Sequence, residues 1–145
     1  MKKQIPIGCD HAGFTLKNTL KQKLQHLGYE VIDMGCHSEE SIDYPDYAHP
    51  VARHIEQNTG MLGLLICGSG NGINMAANKH QGIRSALCWK KEIAQLAREH
   101  NNANILALPA RFLTEQEAIE ILEVFLNTDF EGGRHQNRID KIACV

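Results

Sequence analysis

Short apolar runs alternate with longer amphipathic ones along the whole chain, and this alternation limits the possible folds more than any other feature. Gln4–Cys9 (QIPIGC) has the length of a strand and is followed by the turn-like Asp10-His11-Ala12-Gly13. Leu16, Leu20, Leu24 and Leu27 then recur at helical spacing, with Lys17, Lys21 and Lys23 around the other face. Gly28 ends that helix and Tyr29–Met34 reads as a second strand. Residues 35–46 are polar and turn-rich, and Pro45 disfavours helix at Tyr44. A loop of that length in a small domain points to a role in a site. The pattern predicts a helix over Tyr47–Gln57, and then a third strand, Gly63–Cys67, which does not alternate and so is buried on both faces. A helix over Asn71–Asn78, a strand over Ile83–Cys88, a helix over Lys90–His100 and a strand over Asn104–Leu108 continue the series. Thr114–Asn127 is a further helix, with Thr114 as its N-cap and Glu117 completing a capping box. Gly132-Gly133 breaks the chain before a last helix, Arg134–Ile142.

Repeated strand-then-helix units imply a parallel sheet covered by helices, a doubly wound α/β fold of about five strands with an extra C-terminal helix. The 145 residues fit a single domain, 1–145, with no internal repeat or linker. In this class ligands sit beyond the carboxyl ends of the strands. Cys9-Asp10-His11, Cys67-Gly68-Ser69 and Leu108-Pro109 all fall at such ends, so the candidate chemistry collects at one edge.

A formal charge of −2 with no long basic run gives no footprint for nucleic acid or for an acidic membrane surface. The apolar run after Lys2 and Lys3 is too short for a signal-peptide core, and no stretch approaches the ~18–20 apolar residues needed to span a bilayer. The cysteines, at 9, 36, 67, 88 and 144, are odd in number and form no CxxC pair. The expectation is therefore a cytoplasmic chain with reduced thiols.

Residues 64–74, LLICGSGNGIN, put a thiol at the end of a strand and three glycines in the next five positions. A Walker loop requires lysine where Ser69 stands, the dinucleotide fingerprint requires a third glycine at Ile73, and a cysteine-dependent phosphatase requires an arginine there too. With these excluded, the glycines let the N–H groups of residues 68–72 turn toward a common point at the start of a helix, an arrangement that holds an anion. The same field favours thiolate character at Cys67. A thiolate base beside an oxyanion cradle suits removal of a proton next to a carbonyl. The plainer reading, a buried cysteine with a packing turn, is outweighed by the three glycines and the polar strand ends.

Arg134 and Arg138 lie four apart at the start of the last helix and share one face, where two guanidinium forks can hold a phosphate. His11 and Arg111, beyond strand ends, could join the same anion site. His100 ends its helix, with Asn101 next, and suits proton transfer near neutral pH. Asp10 and His11 form an acid–imidazole neighbourhood. His26, His37, His49, His54 and His80 have no distinctive setting, and no HxxxH or carboxylate cluster marks a metal site.

The motifs GCDHAG (8–13), DYPDYA (43–48), CGSGNGI (67–73), NKHQGIRSALC (78–88), AREHNNANILAL (97–108) and EGGRHQNRI (131–139) run in order over essentially the whole chain. Together they resemble the ribose-5-phosphate isomerase B and galactose-6-phosphate isomerase family. The resemblance implies a Rossmann-like, metal-free and cofactor-free aldose–ketose isomerase acting on a sugar phosphate. It also implies a homodimer, often paired into a homotetramer, with active sites shared between subunits. Cys67 matches the family's thiol general base; some relatives have a glutamate where Ile73 stands here. Gly68, Ser69, Gly70, Asn71 and Gly72 match the loop that stabilises an enediolate, and Ser69 is placed near the thiol or a substrate oxygen. Asp10 and Tyr44 match residues that place the sugar hydroxyls, and His100, with Asp10 assisting, matches the group that opens the furanose ring. Asn101 lines that site, and His11, Arg111, Arg134 and Arg138 match phosphate ligands. The resemblance implies that His100, Asn101, Arg134 and Arg138 arrive from a second subunit. The implied reaction is reversible conversion of D-ribose 5-phosphate to D-ribulose 5-phosphate. A six-carbon sugar phosphate and a non-catalytic sugar-phosphate-binding module are the alternatives.

Overall fold

The computed structural model describes residues 2–144. Five strands, β1 (Gln4–Cys9), β2 (Glu30–Asp33), β3 (Gly63–Cys67), β4 (Ser85–Leu87) and β5 (Ile105–Pro109), form one sheet in the order β2-β1-β3-β5-β4. Every pairing is parallel. Six helices connect and flank them: α1 (Phe14–His26), α2 (Pro45–Gln57), α3 (Asn71–Ala77), α4 (Lys91–Asn101), α5 (Glu115–Asn127) and α6 (Arg134–Ile139). The doubly wound class expected from the alternation is what forms.

Side-chain parity divides the core. Leu64 and Ile66 of β3 pack with Leu16, Leu20 and Leu24 of α1 and with Ile121, Leu122 and Phe125 of α5. Leu65 and Cys67 point the other way, into a cluster with Val51 and Ile55 of α2 and Ile73 and Ala77 of α3. Each fully buried leucine contributes about 1.5–3 kcal/mol by leaving water. This parity aims the Cys67 thiol at the α2–α3 face.

The capping box at Thr114 forms on both sides, its hydroxyl accepting from the Glu117 N–H. At Pro45 the structure departs from the sequence expectation. Tyr44 adopts right-handed helical angles (φ −59°, ψ −33°), and α2 begins at Pro45 rather than Tyr47. Proline is suited to a first helical position, where its missing N–H has no partner to lose, and the Tyr44 carbonyl accepts from the N–H groups of Tyr47 and Ala48, both at 3.1 Å. β4 is shorter than expected because it is an edge strand paired only to β5. The last helix ends at Ile139, not Ile142.

Candidate active site

Beyond the carboxyl ends of β1, β3 and β5 lies a cavity of about 400 Å³ lined by Asp10, Tyr44, Cys67, Gly68, Ser69, Gly72, Arg111 and Phe112. It opens where the chain leaves β1 for β2 on one side and returns to β3 on the other, the switch point at which this class of sheet holds ligands. Hollows of about 460 and 520 Å³ open elsewhere, lined by residues that precede the strands, and contain no thiol. The chemistry, not the volume, marks the site.

Each side chain there is fixed by its own strand end. The Asp10 N–H donates to the Ile66 carbonyl at 3.1 Å, which holds it against β3, and its Oδ1 accepts from the Gly13 N–H at 3.1 Å. His11 Nδ1 accepts the Ile42 N–H at 3.2 Å, so a neutral ring carries its proton on Nε2. The Arg111 N–H donates to the Gly68 carbonyl at 3.0 Å, which ties the turn after β5 to the loop after β3.

The three glycines have three different neighbours. A Cβ on Gly68 would lie 2.9 Å from Arg111 Nη1, and one on Gly72 would lie 2.6 Å from Tyr44 Cζ. Gly70 has φ +75°, and a Cβ there would overlap Leu87 Cδ1 and come within 3.2 Å of the Leu108–Pro109 backbone. The loop is bare because an arginine, a tyrosine and a neighbouring strand press against it. Its N–H groups are not all free, since that of Asn71 donates to Ser69 Oγ at 3.2 Å. Ser69 therefore closes the turn into α3. α3 has only seven residues, so it is too short to supply a long helix dipole at the loop.

Among the cysteines, Cys67 is the one that reaches this cavity. Cys9 and Cys88 are fully buried. Burial, reinforced by the adjacent Cys36, pushes the Cys9 thiol up to about 12 against the pull of Lys17, and burial alone pushes Cys88 up to about 12. Ile73 is walled into the apolar cluster that contains Cys67.

The remaining candidates lie elsewhere. α4 runs back across the sheet and delivers His100 and Asn101 to the edge where strands begin, and the Asn101 and Asn102 carbonyls accept from Arg84 Nε, just before β4. α6, carrying exposed Arg134 and Arg138, packs on α4. Within one chain, His11 and Arg111 thus do not join Arg134 and Arg138; the fold places the two groups at opposite ends of the strands.

Two clusters escaped the sequence reading. His100 Nε2 lies 3.8 Å from Glu131 Oε1 and His135 Nε2 lies 3.7 Å from Glu131 Oε2, while the two imidazoles stack at 4.4 Å and 15°. The Glu131–His135 spacing of one helical turn was readable; their meeting with His100 was not. His49 and His80 are also not bland: His49 Nδ1 contacts His80 Nε2 at 2.7 Å, and Glu56 binds the far side of His80 at 3.0 Å, which joins α2 to the turn before β4.

A thiol, a carboxylate and an arginine gathered at the switch point of a parallel sheet define a doubly wound α/β enzyme of small anionic substrates. The Ribose/Galactose Isomerase family profile matches residues 5–142, and the chain belongs to that family. It is 44% identical over 143 residues to ribose-5-phosphate isomerase B of Escherichia coli, covering 99% of this chain and 96% of that one. The crystal structure of a ribose 5-phosphate isomerase from Thermotoga maritima superposes with a TM-score of 0.96 at 50% identity, over 100% of both chains. Ribose-5-phosphate isomerase B from Mycoplasma genitalium, solved with bound ribulose-5-phosphate, superposes at 0.94 with 46% identity, covering 98% of this chain and 95% of that one. No helix among the described residues is long and apolar enough to cross a membrane.

Proposed function

We propose that this protein interconverts D-ribose 5-phosphate and D-ribulose 5-phosphate, and that each active site is built from two copies of the chain. The observation that carries the reading is the full-length match to an isomerase holding ribulose-5-phosphate, together with the thiol–carboxylate–arginine cavity. The separation of His100, Asn101, Arg134 and Arg138 from Cys67 supports a shared site, because a second copy can bring one edge against the other.

Phosphate contacts from His11, Arg111, Arg134 and Arg138 anchor the non-reacting end, and this binding positions the reacting carbons. His100, with Asp10, removes the proton from O1 and delivers one to the ring oxygen; the C1–O4 bond breaks and C1 becomes an aldehyde. Asp10 and Tyr44 hold the sugar hydroxyls. Cys67 Sγ then takes the C2 proton, and the electron pair forms the C1–C2 double bond of an enediolate facing the loop of residues 68–72. The O2 proton passes to O1, Cys67 returns its proton to C1, and C2 becomes the ketone. Asn101 lines the pocket beside His100.

The test is a coupled assay of the purified protein on ribose 5-phosphate, allose 6-phosphate and galactose 6-phosphate, with Cys67→Ala alongside. Turnover should be robust on ribose 5-phosphate. Cys67→Ala should lose turnover but still bind the sugar phosphate. No activity on ribose 5-phosphate sinks the substrate assignment, and near-normal turnover of Cys67→Ala sinks the base.

A further inference from the structure

We propose that His100, Glu131 and His135 form a binding site for a divalent transition-metal ion of the zinc, cobalt and nickel type, and that the bound ion silences the half-site carrying His100. One ligand atom from each of the three residues, a ring nitrogen from either histidine and a carboxylate oxygen from Glu131, lies within 4.8 Å of the other two. The approaches of 3.8 and 3.7 Å are too long for hydrogen bonds, so the carboxylate stands off both rings rather than pairing with either. A tetrahedral ion with bonds of about 2.0–2.1 Å holds its ligand atoms roughly 3.4 Å apart, so the donors must draw together and the His100 ring must leave its stack on His135 for both ring nitrogens to face one ion.

The setting favours that closure. His135 is nearly fully buried (5% exposed), which fixes one ring. Glu131 is tethered by its N–H to the Glu99 carbonyl at 3.1 Å, one residue before His100. The His100 side chain is 40% exposed at the last turn of α4, so only its stack on the His135 ring holds it from turning toward the other two donors. Two imidazoles and one carboxylate suit zinc, cobalt or nickel rather than magnesium or calcium, and three protein ligands leave a position for water. Arg134 and Arg138 on α6 add positive charge nearby, which opposes a cation and favours an anion as its fourth ligand. The silencing rests on the proposed role of His100, since an ion on Nε2 removes its capacity to move protons. The binding does not depend on that role.

Isothermal titration of chelator-stripped protein with Zn²⁺ should give one ion per chain, with no displacement by an equal concentration of Mg²⁺. Glu131→Gln, at a half-exposed position, should weaken binding by at least about tenfold, since even outer-shell changes at metal sites cost about 10–100-fold. Cys67→Ala should bind Zn²⁺ as the parent does, and Co²⁺ should give an absorption spectrum without a thiolate charge-transfer band. Isomerase activity should fall with Zn²⁺ occupancy and return with a chelator, the parent and Glu131→Gln each referred to its own metal-free rate. Unchanged Zn²⁺ affinity in Glu131→Gln overturns the site, as does loss of binding in Cys67→Ala, which would put the ion on the thiol. Stoichiometric binding that Glu131→Gln weakens, with full activity retained, overturns the silencing and points to the role of His100 rather than to the metal site.

Discussion

Replacing Gly70 with alanine tests whether the loop after β3 is bare by necessity. The residue has φ +75°, where an L side chain costs about 1–2 kcal/mol. The new Cβ would overlap Leu87 Cδ1 and lie 3.2 Å from the backbone of Leu108 and Pro109. Leu87 must retreat by about 1 Å to reach ordinary contact, and the β5 backbone cannot retreat without disturbing the sheet, so overpacking adds about 1–3 kcal/mol. The sum, about 2–5 kcal/mol, is a large part of a typical total of about 5–15 kcal/mol. At about 2–4 °C per kcal/mol for a chain of this size, the melting temperature should fall by about 4–20 °C. Gly132 provides the control. Its φ is +72° but nothing lies within 4 Å of a Cβ there, so Gly132→Ala carries only the backbone cost of about 1–2 kcal/mol. Calorimetric melting of both variants separates the contact from the dihedral. If Gly70→Ala melts no lower than Gly132→Ala, the steric account of the loop is wrong.

Gly68→Ala keeps φ outside the left-handed region but places a Cβ 2.9 Å from Arg111 Nη1. Its cost should appear in substrate affinity rather than stability: KM should rise roughly 10-fold or more, the worth of one charge-assisted hydrogen bond, and an unchanged KM would exclude Arg111 from the phosphate. Asp33 carries the acid sensitivity. Burial works against its charge, but hydrogen bonds from Lys17, the Gly35 N–H and Lys21 hold its carboxyl below the usual 3.8. A depressed folded value means that the stabilisation is complete above the ordinary carboxylate range and is lost as pH falls through the lower folded one. Asp33→Asn removes the charge facing the buried Lys17, whose Nζ keeps the Cys36 carbonyl as a partner, so it should cost about 1–3 kcal/mol at pH 7, and urea titrations should show that gap shrinking below pH 4; a gap constant to pH 3 refutes the linkage.

Local signals were legible in the sequence wherever the physics is local. The apolar run of β3 gave its bounds, Gly63–Cys67, and the Thr114–Glu117 capping box gave the start of α5. Pro45 misled because the restriction on the preceding residue is a bias, and the Tyr44 carbonyl gains two hydrogen bonds by yielding to it. The strand order, with β5 inserted between β3 and β4, depends on pairing between distant segments and left no local trace. The glycine loop stood out as a candidate site, but the reason for each glycine lay in Tyr44, Leu87 and Arg111. His135 passed unnoticed because its meaning depends on His100, which the packing of α6 on α4 brings beside it.

The separation of Cys67 from His100 leads to a last prediction that distinguishes a shared site from a self-contained one. Cys67 is the last residue of β3, and His100 lies in the last turn of α4, which has crossed back to the opposite edge. If catalysis joins Cys67 of one copy to His100 of another, Cys67→Ala and His100→Ala homodimers are both inactive, because every site lacks one group. A hybrid dimer of one chain of each kind is different. One of its sites carries both substitutions and the other carries neither, so the hybrid should regain about half the wild-type turnover per dimer, as two-fold symmetry requires. Co-expression with two affinity tags and sequential purification isolates the hybrid, and the coupled assay reads the result. A site contained within one chain predicts no recovery, because each chain of the hybrid then carries its own lesion. A silent hybrid would show that the edge-to-edge separation in the single chain is bridged by some means other than a second subunit.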